Sequence, residues 1–206
     1  MKKVFLIAAV AVLGMKNVEA QVSYGIKAAP QLTNLVGDDM DDVDNKAKVG
    51  FNAGVYANFR VSDQFAIQPE IQYSTQGAKT SSSETVAGVT TKQELKAKLD
   101  YINVPVMVKW YAYDGLNFEF GPQVGFNTSA KLEGTTTITE GDSSATFESN
   151  MDIEDAKTDF GLNFGVGYEM PAGFNVGFRY THGLSDVVKD LKAKNSVMAL
   201  SVGYSF

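Results

Sequence analysis

The sequence predicts an all-β protein: an eight-stranded antiparallel up-and-down transmembrane β-barrel. Three observations lead to this fold. After Gln21, large apolar residues recur at every second position, which is the period of a β-strand and not of a helix. Eight segments carry this period, and the last of them ends the chain on Phe206. The connections alternate between short turns and longer loops, as expected for a barrel whose two chain ends lie on the same side of a membrane.

The first twenty residues differ from the rest of the chain. Two lysines precede an apolar run over residues 4–13, which is too short to span a bilayer. Val18-Glu19-Ala20 then ends in the small residue that a signal-peptide cleavage site needs. This arrangement predicts a secretory signal peptide over residues 1–20, cleaved after Ala20. Residues 21–206 are then predicted to form one barrel domain.

The composition excludes several classes of function. The net charge of -6 disfavours nucleic acid as a partner, because phosphate binding needs clustered lysines and arginines. The chain has no cysteine and a single histidine, His182, so thiol catalysis and a zinc site built from several such ligands are unavailable. We therefore predict no metal and no cofactor.

The predicted strands and connections follow one another in a simple order. The strands cover residues 22–33, 49–61, 65–77, 99–111, 116–132, 158–170, 174–181 and 198–206. Short turns are predicted at residues 62–64, 112–115 and 171–173, where turn-forming residues cluster. Longer loops are predicted at 34–48, 78–98, 133–157 and 182–195, with the alternative that the third and fourth strands continue through 78–98.

The sizes of the residues decide which face of each strand points inwards. An eight-stranded barrel has an interior just wide enough for side chains to fill, so the face rich in Gly, Asn, Ser and Gln suits the lumen. The opposite face carries bulky Phe, Val, Ile, Leu and Tyr on every strand and suits lipid. The polar face also bears four positive and three negative residues, which we predict to form an internal ion-pair network: Lys27, Arg60, Glu70, Lys109, Glu119, Glu169 and Arg179.

Aromatic residues cluster near the predicted strand ends, where membrane barrels place their two interfacial girdles. They are Tyr24, Phe65, Tyr73, Trp110, Tyr111, Tyr168, Phe174, Tyr180, Tyr204 and Phe206.

Several segments resemble a known family. FAIQPEIQYSTQGAK, LDYINVPVMVKWY, FEFGPQVGF, FGLNFGVGYEM and the final YSF are similar to the PorT-like outer-membrane β-barrel domain of Bacteroidetes. The resemblance implies an outer-membrane location, and the pattern of turns then puts both termini in the periplasm. It also implies that Val202, Tyr204 and Phe206 form a C-terminal signal read by the barrel-assembly machinery.

The favoured function is that of a small non-enzymatic barrel with a side-chain-filled lumen. Its role would be structural, adhesive or partner-docking through the long loops, with outer-membrane lipid or lipopolysaccharide around a monomer. A narrow pore or a secretion-accessory barrel is the alternative. The acidic loop with Asp38, Asp39, Asp41, Asp42 and Asp44 does not match the EF-hand pattern, and we interpret it as a solvated loop.

An outer-membrane lipid hydrolase is a further alternative. Its only candidate nucleophile and base are Ser185 and His182, with Asp186 as the orienting acid. Three residues in one loop are weak evidence, so catalysis is the less favoured hypothesis.

Overall fold

The structure is a computed structural model that describes residues 21–40, 45–153, 156–188 and 191–206. The predicted signal peptide, residues 1–20, lies outside the described residues. Within them the chain forms nine strands and one 3-10 turn at Asp38–Met40. The strands are β1 Gln21–Val36, β2 Asn45–Arg60, β3 Phe65–Val86, β4 Val89–Tyr113, β5 Leu116–Glu140, β6 Ser143–Asp152, β7 Asp159–Glu169, β8 Phe174–Gly183 and β9 Lys194–Ser205.

Eight of these strands close into a ring. The order is β1-β2-β3-β4-β5-β7-β8-β9, all neighbouring pairs are antiparallel, and β9 pairs with β1 through contacts such as Ile26 with Tyr204. Closure pairs the strand backbone groups with one another, which the interior of a bilayer demands. The predicted eight-stranded up-and-down barrel is confirmed. No helix among the described residues is long and apolar enough to cross a membrane.

The two ends of the barrel are built differently. At the short-turn end, residues 61–64, 114–115 and 170–173 connect the strands, and the described chain begins and ends there. At the opposite, long-hairpin end, β3 and β4 continue as a paired hairpin to Val86 and Val89. The alternative of continuous strands through residues 78–98 is therefore the observed one.

The predicted loop 133–157 is wrong in its first part. β5 runs on to Glu140, and β6 pairs back along it from Ser143 to Asp152. The sequence marks this hairpin only weakly, because most of its residues are small or polar and few, such as Phe147 and Met151, are large and apolar, although threonine suits strands well. Parts of β3, β4, β5 and β6 thus form a four-stranded sheet, called here the extension (residues 78–98 and 131–152).

The two faces of the ring differ in chemistry. Large apolar side chains such as Ile71, Phe120 and Leu200 point outwards and are exposed, whereas polar side chains such as Gln72 and Asn163 are buried inside. Tyr111 was predicted to lie in an outer aromatic girdle, and this is wrong. Its side chain is buried inside the ring, because Tyr111 is two positions from Lys109 on β4 and therefore points to the same, inward face.

Candidate functional site

The barrel interior is centred on an arginine that bridges two glutamates. Arg179 on β8 donates from Nη1 and Nη2 to the Oε2 and Oε1 atoms of Glu70 on β3, at 2.8 and 2.9 Å. Its Nε donates to Glu119 Oε1 on β5 at 2.6 Å. Lys27 Nζ on β1 lies 2.7 Å from Glu70 Oε2. These four residues, called the central cluster, carry two positive and two negative charges.

Neutral side chains complete the hydrogen bonding of Glu70, which is fully buried. Gln68 Nε2 donates to Glu70 Oε1 at 2.8 Å, and Gln72 Nε2 donates to Oε2. All three residues are at alternate positions of β3 and therefore point to the same face. A buried carboxylate is costly unless it is both paired and hydrogen-bonded, and Glu70 meets both conditions.

A second cluster lies nearer the short-turn end. Lys109 Nζ on β4 is 2.7 Å from Glu169 Oε1 on β7, and the hydroxyl of Tyr111 donates to the same oxygen at 2.9 Å. Arg60 Nη2 is 3.8 Å from Glu169 Oε2, and its guanidinium lies 3.8 Å above the Tyr111 ring. Asn58 Nδ2 donates to the Tyr111 hydroxyl at 3.0 Å. Lys109, Glu169, Arg60 and Tyr111 are called the turn-end cluster.

Both clusters reach across the full width of the barrel. β3 and β8 are four places apart in the ring of eight, so the Glu70–Arg179 pair joins opposite walls. β2 and β7 are likewise four places apart, and the Arg60–Glu169 pair joins them. The structure therefore brings all seven predicted charged residues together as two layers of ion pairs inside the ring.

One lumen glycine makes room for the central cluster. A Cβ atom at Gly165 would lie 2.6 Å from Glu119 Oε1 and 2.8 Å from the carbonyl oxygen of Phe178. Any larger residue at this position would displace the carboxylate that Arg179 holds.

Two small cavities flank the central cluster. One lies towards the long-hairpin end, among Gln31, Asn52 and Asn103, and the other lies towards the short-turn end, beside Asn117 and Glu169. Each has a volume of about 20 Å³. Since a single water needs about 10–15 Å³, each cavity has room for about one water molecule and not for a continuous water column.

An apolar cluster covers the interior at the long-hairpin end. Its buried members come from β1, β3, β4, β5 and the segment between β8 and β9: Leu35, Ala78, Leu99, Tyr101, Ala130, Val187 and Ala193. Polar residues predominate in the rest of the lumen, and this cluster lies between that lumen and the long-hairpin end.

Tyr56 is an interior residue that the sequence analysis missed. Its hydroxyl is 2.7 Å from Ser205 Oγ and accepts a hydrogen bond from Asn175 Nδ2 at 2.8 Å, which links β2 with β8 and β9. Gly25 faces it, and a Cβ there would lie 2.3 Å from the Tyr56 ring. The signal was present in the sequence, since Tyr56 has the same strand parity as the lumen residues Asn52 and Asn58.

The three residues of the predicted C-terminal signal lie on the outer surface of β9 and just beyond it. Val202, Tyr204 and Phe206 are 61%, 36% and 74% exposed. Tyr204 packs edge-on against Phe174 and Phe206. The backbone N–H of Phe206 donates to the Tyr24 carbonyl at 2.7 Å, at the seam where β9 closes the ring onto β1.

The hydrolase candidates have other partners. Ser185 Oγ donates to Asp159 Oδ1 at 3.2 Å and accepts from the Phe160 backbone N–H at 2.8 Å. His182 Nδ1 is 3.4 Å from the Tyr180 hydroxyl. Ser185 is thus held as a loop anchor, and this geometry provides no Ser–His pair.

The acidic loop is only partly described, since Asp41, Asp42 and Asp44 lie outside the described residues. Asp38 Oδ2 is 3.1 Å from Lys192 Nζ, and Asp39 Oδ2 accepts from the Lys192 backbone N–H at 2.8 Å. The Asp38 carboxylate raises the pKa of Lys192 above its ordinary value. Within the described part of the chain, no group of acidic or histidine side chains could hold a metal ion.

The extension is amphipathic. On the side continuous with the lumen it exposes large apolar residues, among them Leu95 at 45%, Phe147 at 61% and Met151 at 61%. The other side is polar and charged. There Lys96 pairs with Glu94 at 2.9 Å and Lys98 with Glu133 at 2.5 Å, and these hydrogen bonds hold the pKa of each glutamate below its ordinary value.

The closed ring, its apolar outer surface and its ion-paired interior define an integral β-barrel membrane protein. The chain belongs to the outer membrane protein beta-barrel domain family, whose model matches residues 16–189. This match places the protein among the barrels of the bacterial outer membrane. The narrower resemblance to the PorT-like domain stays a prediction. A comparison with curated protein sequences found no match.

Solved structures with a similar chain path are outer-membrane barrels. Ail, the attachment invasion locus protein of Yersinia pestis, is 13% identical, with 90% of this chain and 99% of that chain covered and a TM-score of 0.47. Neisserial surface protein A is also 13% identical, with 90% of this chain and 99% of that chain covered and a TM-score of 0.48. The N-terminal barrel of Pseudomonas aeruginosa OprF is 10% identical, with 90% of this chain and 100% of that chain covered and a TM-score of 0.35.

Proposed function

We propose that the protein is a non-conducting and non-enzymatic outer-membrane barrel that presents the extension for adhesion or for docking of a partner. The observation that carries this proposal is the contrast between the two parts of the molecule. Ion pairs fill the barrel from wall to wall, whereas the extension exposes an apolar sheet face beyond the barrel.

The interior disfavours the alternative of a pore. An ion crossing the barrel would have to separate Arg179 from Glu70 and then pass the apolar cluster around Leu99 and Tyr101. Separating a buried pair costs several kcal/mol. The secretion-accessory alternative has only the PorT-like resemblance behind it, which is an analogy at the level of the fold.

The extension supports the docking role through its edge as well as its face. β6 is the outermost strand of the sheet order, and its ten residues contain no proline, lysine or arginine. Natural proteins commonly protect exposed edges with such residues or with bulges. Its only charged residues are Glu148 and Asp152, so most of this edge is open, and an open edge beside an apolar face suits the addition of a partner strand.

The orientation completes the proposal. We infer that residues 1–20 are removed as a signal peptide and that both chain ends lie in the periplasm, so that the extension projects outside the cell. The barrel is a monomer that spans the outer membrane, surrounded by its lipid and lipopolysaccharide, and Val202, Tyr204 and Phe206 are recognised by the barrel-assembly machinery.

The test of this function uses cells that display the full chain. Phe147→Ser/Met151→Ser removes two exposed apolar side chains of β6, and Thr146→Ser/Asn150→Ser changes the polar face of the same strand as the control. We expect the first variant alone to lose adhesion to other cells and to protein-coated surfaces. Equal adhesion by both variants and the unaltered protein contradicts the role of the apolar face.

Conductance provides the second measurement. The refolded barrel in a planar bilayer is expected to show no stable current steps. Stepwise currents from the unaltered protein would favour the pore instead.

A further inference from the structure

Lysines are concentrated on the polar face of the extension and on the adjoining start of β2, close to the lipid-facing band of the barrel. In one row, Lys46 on β2 is directly opposite Lys79 on β3, which is directly opposite Lys96 on β4. In the next row towards the membrane, Lys98 on β4 is directly opposite Lys131 on β5. These five residues are called the lysine rows.

Such a register is unfavourable on its own. Directly opposed side chains on neighbouring strands have Cβ atoms about 5 Å apart, and like charges at these positions destabilise a sheet. The opposed acids in the two rows are Glu133, beside Lys96, and Asp152, beside Lys131. Lys79, Lys96, Lys98 and Lys131 therefore share three acids, Glu94, Glu133 and Asp152, so positive charge is in excess here although the chain has a net charge of -6.

Two of these lysines form no ion pair within the described chain, although Asp152 is opposite Lys131 in the strand register. Lys98 and Lys96 pair with Glu133 and Glu94, whereas Lys79 and Lys131 form no ion pair with any described residue. Lys131 is exposed and Lys79 half-buried. Both ammonium groups are available to an anion that reaches this face.

The position of the rows indicates where such an anion would come from. On β4 the outward positions pass from Ile102, in the apolar band, to Asp100, Lys98 and Lys96. At about 3.3 Å per residue and a tilt of about 40°, Lys98 lies about 10 Å beyond Ile102. The polar headgroup region of a bilayer begins within this distance of the hydrocarbon core.

We propose that the lysine rows bind the phosphate groups of lipopolysaccharide that surrounds the barrel at its long-hairpin end. Adjacent strands are about 4.8 Å apart, so three lysines across β2, β3 and β4 span about 10 Å, which suits a headgroup that carries more than one phosphate. Lysine is a common phosphate ligand, and an anion between the rows offsets their mutual repulsion. The proposal rests on the outward orientation of the extension given above.

The test compares two double variants with equal changes of charge. Lys79→Gln/Lys131→Gln removes the two lysines that form no ion pair within the described chain. Lys92→Gln/Lys157→Gln removes two exposed lysines outside the rows. Binding of diphosphoryl lipid A and of its dephosphorylated form to the purified full barrel is counted by native mass spectrometry from detergent.

We expect the first variant to bind diphosphoryl lipid A about 30-fold more weakly, at about 1 kcal/mol for each lysine near a charged membrane surface. The control variant should bind it within about twofold of the unaltered protein, a bound that corresponds to about 0.4 kcal/mol. Equal binding by both variants, or equal binding of the dephosphorylated lipid, overturns the proposal. Displacement of the lipid by millimolar inorganic phosphate would indicate a site for free phosphate and would also overturn it.

An epitope inserted after Gly141, in the turn between β5 and β6, separates this proposal from the function on which it rests. If antibody does not reach the epitope on intact cells, the orientation is wrong and both proposals fail. If the epitope is reached but Lys79→Gln/Lys131→Gln keeps full lipid binding, only the lysine rows lose their role.

Discussion

Replacing Arg179 with methionine tests the structural role of the central cluster. The side chain of Arg179 is 10% exposed, that of Glu119 is 10% exposed and that of Glu70 is fully buried, so solvent screens these pairs little. In Arg179→Met, Glu70 keeps Lys27 and its two glutamine donors. Glu119 loses the only hydrogen bond that a described side chain gives it.

The expected loss follows from that difference. Removing one partner of a buried ion pair costs about 3–5 kcal/mol, because the remaining charge is left without compensation. In Glu119→Gln/Arg179→Met both of these charges are absent and Lys27 still neutralises Glu70. The double variant should therefore be more stable than Arg179→Met by about 1–3 kcal/mol, as coupling between residues in contact allows.

Arg60→Met is the matched control. Arg60 is 37% exposed and only 3.8 Å from Glu169, so the loss of that pair and of its stacking on Tyr111 should cost about 1 kcal/mol. The assay is urea unfolding of the refolded barrel in lipid vesicles, followed by the emission of Trp110 and by gel mobility. The reasoning would be refuted if Arg179→Met lost no more unfolding free energy than Arg60→Met. It would also be refuted if Glu119→Gln/Arg179→Met were no more stable than Arg179→Met.

Three further predictions concern single residues. Gly165→Ala should lower the unfolding free energy by about 1–3 kcal/mol, measured by the same urea titration, because its Cβ would collide with Glu119. Tyr56→Phe should cost about 1–3 kcal/mol there, since Asn175 loses its acceptor inside the barrel, and a cost near zero would count against that contact. Trp110 is the only tryptophan and is 46% exposed on the outer face, so brominated lipids should quench its emission and aqueous acrylamide should not.

The fold could be predicted from the sequence because a membrane barrel repeats one rule on every strand. Parity alone distinguishes Lys109, which is inside, from Val108, which faces lipid. The same rule applied strictly would have found Tyr56 and Tyr111. For Tyr111 a second pattern competes with this rule, because an aromatic residue near a strand end is also typical of an interfacial girdle, and the pairing of β4 shows which way the ring points.

The extension could not be predicted in the same way. Outside the bilayer both faces of a sheet can be polar, so the alternation that marks β7 or β9 is absent from most of β6. Pairing with β5 decides the structure of that segment, and pairing is a long-range property. The same limit applies to the ion pairs, because the stagger of strands around the ring decides that Glu70 meets Arg179 and that Glu169 meets Lys109.

The charge balance of the two clusters nevertheless explains how they are arranged. Together they contain four positive and three negative residues, which cannot all neutralise one another, and an unbalanced charge is far less costly where water reaches it. The central cluster contains two of each sign and lies at the middle of the barrel. The turn-end cluster contains the excess, and its least buried member is Arg60 at the end of β2. The surplus positive charge of the two clusters is therefore at the mouth of the barrel, where burial penalises it least.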